Sequence, residues 1–314
     1  MMSERLDSFI VKKLMKKFLY VFNYPPEDKD LCALEFRAMF KQEYTSKYYL
    51  SNKDYDVNKS VFMKAKIDIW GMNQSFCELI RQVASLNKSY QDFKVIYLKN
   101  EITHVEYGET LQKCKEISWA IEGSVNMSKP MHTIAITKLD NIWICGYYHH
   151  GIPSWKKHDN KPHTFSNSLD IRLARTLVNI AASDDKKVKL VDPCCGMATV
   201  VLEGLALGLD IEGYDISREI SWSARKNLKY FGYDEYLINR TSIYDLNKYY
   251  DVAILDIPYN LYTPITYDEQ CKIIASARKI CDKMVIVTFE DMAKEIRQAG
   301  FSIIDSCLRK KTEY

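Results

Sequence analysis

Val188-Lys189-Leu190-Val191-Asp192-Pro193-Cys194-Cys195-Gly196 carries a mostly apolar run into an acid, a proline and a glycine, and a helix is expected to begin near Ala198. Such a run reads as a strand buried on both faces, and the glycine after it lets the backbone turn sharply and approach a ligand. The unit recurs. Ile211 to Asp215 ends in an acid before Ile216-Ser217, and Val252 to Asp256 ends in an acid before Ile257-Pro258-Tyr259-Asn260. Further strands are expected at Met284 to Phe289 and Phe301 to Leu308. Alternation of strand and helix from Lys189 onward predicts an α/β domain with a mostly parallel sheet and helices on both faces.

In such a sheet, ligands bind outside the carboxyl ends of the central strands. Asp192, Asp215 and Asp256 each close one of these strands. Taken singly, each acid is equally an ordinary helix cap after a strand; three in register form a pattern. At Asp215 a carboxylate is suited to accept hydrogen bonds from the two hydroxyls of a ribose. The Asp256 stretch suits a flat, amino-bearing ring. The carboxylate accepts one N–H of an exocyclic amine, the Ile257 backbone carbonyl accepts the other, and the Tyr259 face stacks on the base, a contact worth about 1–3 kcal/mol.

The 314 residues exceed one domain of common size, and 47% hydrophobic with 27% charged residues is the balance of a soluble globular chain. Disorder is not indicated. Nine cysteines, odd in number and without a C-x-x-C pair, mostly sit in apolar runs and read as reduced packing residues. No apolar run is long enough to cross a bilayer and the N-terminus carries no secretory pattern, so a cytoplasmic location is expected. A net charge of +3 leaves phosphate contacts to local groups such as Lys12, Lys13, Lys16 and Lys17, or Lys156, Lys157 and His158, which read equally as solvated surface. His149, His150, His158 and His163 follow Cys145, but their spacing fits no four-ligand zinc pattern, so no metal is expected.

The first half predicts a compact α+β region, residues 1–152. It has strands near Phe18 to Phe22, Val61 to Trp70, Lys94 to Leu98, Thr133 to Lys138 and Ile142 to Tyr148. Helices are expected over Leu31 to Phe40, from a Ser75/Glu78 capping box along the amphipathic run of Leu79, Ile80, Val83 and Leu86, and near Leu111 to Ile121. Residues 153–167, rich in proline, lysine and histidine, read as a linker with Trp155 on its surface. The second domain then runs over residues 168–314, its first helix capped by Asn167 or Ser168.

Asp192-Pro193-Cys194-Cys195-Gly196 resembles the D-P-F-C-G-T-G loop of S-adenosylmethionine-dependent RNA methyltransferases, and Asp256 to Asn260 resembles their D-P-P-Y-G motif. Lys161-Pro162-His163-Thr164-Phe165 and Ser168-Leu169-Asp170-Ile171-Arg172-Leu173-Ala174-Arg175 are similar to the segment leading into the catalytic domain of the tRNA guanine-10 N2-methyltransferase group. Phe62-Met63-Lys64-Ala65 and Ile69-Trp70-Gly71 resemble its N-terminal half. The resemblance implies a Rossmann-like class I methyltransferase domain preceded by a ferredoxin-like plus THUMP-like RNA-binding region. It implies methylation of the exocyclic N2 amine of a tRNA guanosine, and it leaves room for a small activating protein partner.

By the same resemblance, Asp256, Ile257, Pro258 and Tyr259 form the catalytic motif. Asp192, Cys194 and Gly196 lie near the methionine part of the cofactor and Asp215 at the ribose. Ile216, Ser242 and Ile243 lie at the adenine, and Phe165 closes the pocket. Ile216, Ile243 and Phe165 read equally as ordinary core. Two alternatives remain open from the motifs: N6-adenine methylation of DNA or RNA, and a catalytically silent RNA-binding protein. The chain departs from the family pattern at Met197 and Ala198, which replace a threonine and the second glycine of the loop. It departs again at Ile257 for the first proline and at Asn260 for glycine. The first pair is expected to hold the backbone further from the cofactor.

Overall fold

The computed structural model describes residues 17–165, 168–183, 185–258 and 265–309. Along the chain run β1 (Phe18–Phe22), α1 (Lys29–Phe40), β2 (Tyr48–Ser51), β3 (Met63–Asn73), α2 (Phe76–Ala84), β4 (Ser89–Tyr97), α3 (Tyr107–Trp119), β5 (Glu122–Val125), β6 (His132–Leu139) and β7 (Ile142–His150). Then follow α4 (Ile171–Ala182), β8 (Lys189–Asp192), α5 (Thr199–Ala206), β9 (Asp210–Asp215), α6 (Arg218–Tyr230), β10 (Ile238–Arg240), β11 (Tyr250–Asp256), α7 (Tyr267–Ile280), β12 (Cys281–Val287) and α8 (Ala293–Gln298).

Two compact units emerge: residues 1–23, 46–58 and 63–152, and residues 24–45, 59–62 and 153–314. The division differs from a single cut near residue 152. The segment carrying α1 and the stretch from Lys59 to Phe62 belong to the second unit, because their polar groups are satisfied there. Within it, Glu35 is wholly buried and accepts from Asn179 Nδ2 of α4 at 2.6 Å and from Ser60 Oγ. The Arg175 guanidinium reaches the Lys59 carbonyl at 2.9 Å. A buried carboxyl needs such partners, so these segments are fastened where the donors are. Burial pushes the Glu35 carboxyl up to about 7, against the bonds from Ser60 and Asn179.

The first unit is a seven-stranded mixed sheet in the order β2-β1-β3-β7-β6-β4-β5. Phe93, Val95, Ile134, Ile136, Trp143 and Cys145 pack one face against α2 and α3, while Leu19, Ile67, Ala135 and Ile144 form a second cluster. Helix α2 starts at Phe76 as expected, but the capping box does not form. Ser75 makes no side-chain cap, its N–H is bonded to Asn73 Oδ1 at 2.9 Å, and Glu78 pairs instead with Arg81.

The second unit is a five-stranded sheet in the order β10-β9-β8-β11-β12, with every neighbouring pair parallel. In chain order the strands lie third, second, first, fourth, fifth, so the winding reverses between β8 and β11: a doubly wound, Rossmann-like α/β fold. Alternation within β11 shows why helices cover both faces. Val252 and Ile254 join the cluster of Val178, Val201 and Leu228 from α4, α5 and α6, whereas Ala253 and Leu255 join Ile273 and Ala277 from α7. Helix α4 is capped by Asp170, which accepts from the Arg172 N–H at 3.2 Å; Ser168 turns back to the Phe165 N–H, and Asn167 lies outside the described residues.

Two expectations are corrected. Phe301 to Leu308 is not a strand, and the described sheet ends at β12. Charged side chains take this tail elsewhere in the same unit: Arg37 of α1 binds Asp305 at 2.7 Å and Arg309 binds Asp28 at 2.7 Å. Nor is Trp155 a surface residue. Ser154–Asn160 forms a 3-10 helix with Trp155 only 5% exposed and His158 fully buried. His158 Nδ1 meets Glu203 Oε1 at 2.5 Å while Arg175 meets Glu203 Oε2 at 3.1 Å. The buried Glu203 charge requires both partners, which draws this stretch inward. Lys156 and Lys157 beside it do stay exposed.

Candidate functional site

The carboxyl end of β8 turns through two left-handed residues, Gly196 at φ 50° and Ala198 at φ 62°. The Cys194 N–H is bonded to Asp192 Oδ1 at 3.3 Å, the Cys195 N–H to the Tyr214 carbonyl at 2.8 Å, and the Ala198 N–H to the Cys195 carbonyl at 2.8 Å. Gly196 is needed for its torsion rather than for crowding, since an added Cβ would meet no atom within 4 Å. The space above it is open, as a cofactor cradle requires. Ala198 takes the strained torsion without glycine, at about 1–2 kcal/mol for a left-handed L-residue. Its methyl is buried in the core cluster with Val201 and Ile211, and Met197 is buried as well.

The second acid is tied to the first loop. Asp215 at the end of β9 accepts from the Gly196 N–H at 3.2 Å and from the Ser217 N–H at 2.8 Å. Ser217 caps α6 by accepting from the Ile220 N–H, and Ser221 Oγ donates to the Asp215 carbonyl at 3.0 Å, so the turn is fixed from below. Ile216 is 68% exposed beside this turn. Close approach of β9 to the loop depends on Gly213, where a Cβ would lie 3.0 Å from the Cys195 Cβ and 2.7 Å from Ile238 Cδ1.

Asp256 ends β11, next to β8. Ile257 follows with its N–H on the Val287 carbonyl at 3.2 Å and its side chain buried against Ile274 and Met292. The Pro258 carbonyl accepts from Gln270 Nε2 of α7 at 2.8 Å. Tyr259 lies outside the described residues. Asp192, Asp215 and Asp256 are thus brought to one edge of the sheet.

Electrostatics register this convergence. Burial holds the Asp192 carboxyl well above the carboxylate range, opposed by the Cys194 N–H and reinforced by the charges of Asp256 and Asp215. Burial raises Asp215 against the bonds from Ser217 and Gly196, and raises Asp256 to about 6. The negative charge of Asp256 is one of the causes that hold the Asp192 proton. Burial followed by the Asp192 charge pushes the Cys194 and Cys195 thiols up, away from nucleophilic chemistry. The edge offers acceptors and negative potential, fit for hydroxyls, amines and cationic groups.

Ser242, Ile243 and Phe165 are set by their local surroundings. Ser242 caps a 3-10 turn, accepting from the Tyr244 N–H at 3.3 Å. Ile243 is 5% exposed and lies in the core with Val191, Tyr214 and Leu255. Phe165 is 54% exposed. Asn227 of α6 had no motif to mark it, yet it is fully buried and organises the loop. Its Oδ1 accepts from the His163 N–H at 3.0 Å, and its Nδ2 donates to the carbonyls of His163 and Met197 at 2.9 and 3.1 Å. Lys161 Nζ donates to Thr199 Oγ1 at 2.8 Å at the start of α5. A polar residue at an otherwise apolar helical position was the one available signal for Asn227.

All nine cysteines are free thiols. Among the described residues, no group of histidine, cysteine and acidic side chains is arranged to hold a metal ion, and no helix is long and apolar enough to cross a membrane.

No family model matches the chain. Its sequence is similar to the tRNA (guanine(10)-N2)-dimethyltransferase of Pyrococcus abyssi, 27% identical over 158 residues, 46% of this chain and 45% of the relative. It is also similar to the tRNA (guanine(10)-N2)-dimethyltransferase of Methanothermobacter thermautotrophicus, 27% identical over 106 residues, 32% of this chain and 30% of the relative. Each match thus spans less than half of the relative's own length. Among solved structures, TrmN from Thermus thermophilus aligns at a TM-score of 0.43 and 11% identity, covering 90% of this chain and 91% of that one.

Proposed function

We propose that the chain transfers a methyl group from S-adenosylmethionine to the exocyclic N2 amine of a guanosine in tRNA, in the cytoplasm. The observation that carries the proposal is the convergence of Asp192, Asp215 and Asp256 at the carboxyl ends of three adjacent parallel strands, β8, β9 and β11. The named relatives, both tRNA guanine-10 N2-dimethyltransferases, supply the substrate class. The region expected over residues 1–152, read as THUMP-like, would grip the tRNA through the first compact unit, while the catalytic domain expected over residues 168–314 would be completed by residues 24–45, 59–62 and the 153–167 segment, which belong to the second unit.

The open cradle over Gly196 and the acceptors of Asp192 and Asp215 fit the cofactor. In this proposal Asp192, Cys194 and Gly196 hold the amino-acid end and Asp215 takes the ribose hydroxyls. Ile216, with Ser242 and Ile243 behind it, borders the adenine, and Phe165 covers the crevice. When bound, S-adenosylmethionine supplies an electrophilic methyl group on a sulfonium. Asp256 and the Ile257 carbonyl accept the two N–H groups of the guanine amine, whose lone pair is otherwise delocalised into the ring. Both bonds favour a pyramidal nitrogen whose lone pair points along the transfer direction. Asp256 serves as acceptor, so the amine keeps its protons until it attacks; the carboxylate would then take the proton released by the methylated nitrogen, with S-adenosylhomocysteine as the other product.

The test is nucleoside mass spectrometry of tRNA incubated with the purified chain and S-adenosylmethionine, and of tRNA from cells with and without it. N2-methylated guanosine formed by the wild-type chain and abolished in Asp256→Ala, with tRNA affinity retained, is expected. N6-methyladenosine as product, or full activity of Asp256→Ala, would refute the assignment.

A further inference from the structure

We propose that Gln270 is a positioning residue of this site, holding the Pro258 carbonyl so that the Ile257–Pro258 dipeptide, anchored at its other end through the Ile257 N–H, keeps the Ile257 carbonyl toward the substrate amine. The inference rests on the base-methylation proposal and adds to it a residue that lies outside the motifs. The family loop resembled here has a proline at position 257, whose ring would lock φ covalently. Isoleucine has no such lock, and three tertiary anchors stand in its place. The Ile257 N–H is bonded to the Val287 carbonyl of β12 at 3.2 Å. Its side chain, 1% exposed, is packed against Ile274 and Met292. The third anchor acts one residue on. Pro258 fixes its own φ and biases Ile257 toward extended backbone, which leaves ψ of Pro258 as the soft torsion of the segment. Gln270 Nε2, donating to the Pro258 carbonyl at 2.8 Å, sets that torsion.

Gln270 is itself held firmly. It sits in the first turns of α7, whose start is fixed by a reciprocal capping box. The Glu269 N–H is bonded to Thr266 Oγ1 at 3.2 Å and the Thr266 N–H to Glu269 Oε2 at 2.7 Å. A capping box fixes the register of the helix, and with it the reach of Gln270. The neutral amide also suits its partner, a carbonyl two residues after Asp256 in the chain, since it donates there without adding charge close to a carboxylate that must accept from substrate.

The experiment compares Gln270→Glu, which keeps the shape and loses the donor above neutral pH, with Gln270→Lys, which keeps a donor. Steady-state methyl transfer to tRNA is measured at pH 8, with melting temperature as the folding control. Gln270→Glu is expected to lower kcat about 10- to 100-fold, the scale of a small misplacement of a reacting group, with KM for both substrates within about twofold. Gln270→Lys is expected to retain kcat within about threefold. A Gln270→Glu variant with wild-type kcat, or one whose loss lies entirely in KM, overturns the assignment. A wild-type chain that methylates no tRNA speaks against the proposed function instead. The positioning claim is then decided by crystal structures: a Pro258 carbonyl displaced in Gln270→Glu supports it, and an unmoved one overturns it.

Discussion

Replacing Asp256 with asparagine should make the protein more stable, because the fold holds this carboxylate where its charge is disfavoured. Burial raises its pKa from 3.8 to about 6. A raised carboxyl pKa means that the native state binds the proton more tightly than the unfolded state. The associated stability is present below pH 3.8, declines as the pH rises toward 6, and is fully lost above it. At pH 7.5 the ionised side chain therefore costs about 3 kcal/mol, and at pH 5 about 2 kcal/mol, as upper values for a partly solvated group. Asp256→Asn removes that cost while keeping an acceptor oxygen. It also withdraws a charge that raises Asp192, which acts in the same direction. Urea unfolding of wild type and variant at pH 5 and pH 7.5 reads the difference directly. A larger gain at pH 7.5 than at pH 5, with unchanged m-value, is expected. A variant less stable than wild type at pH 7.5, or a gain that grows as pH falls, would refute the claim that Asp256 is a desolvated, ionised acceptor.

On the proposed function the same carboxylate would set the pH dependence of turnover: methyl transfer should fall tenfold per pH unit below about 6, where Asp256 is protonated and the proposed acceptor of the amine is lost, as read from kcat/KM between pH 5 and 8. Gly213→Ala should destabilise the chain by about 1–3 kcal/mol in thermal unfolding. On the proposed function it should also weaken S-adenosylmethionine binding in calorimetry, because the new Cβ lies within 3.0 Å of Ile238, Val201 and the Cys195 Cβ beneath the loop.

Local signals carried the second unit's architecture. Runs such as Val252 to Leu255, apolar at every position, can be satisfied only in a strand covered on both faces, and the structure divides those four side chains between two cores. The acids that end β8, β9 and β11 were equally legible, because a charged side chain that closes an apolar run stands out from the core positions before it. Helix α2 was found through its amphipathic run even though its capping box is unmade, since burial of Leu79 and Val83 outweighs one cap.

What the amino-acid order determined by itself was therefore the strongly periodic part: the longer strands and helices and where the acids fall along them, but not the short strands β2, β5 and β10 or the course of the tail from Phe301. Partnership between residues distant in the chain belonged to the tertiary structure alone. Glu35, Glu203 and Asn227 carry no motif, and only folding shows that Asn179, His158 with Arg175, and the backbone of residues 163 and 197 satisfy them. The terminal segment from Phe301 is diverted from the sheet by two arginine–aspartate pairs spanning more than 260 residues of sequence. The physical reason is common to all of these. Hydrophobic periodicity is a local property of the chain, whereas a buried charge or amide is tolerable only beside a complementary group, and which group that is depends on the completed fold.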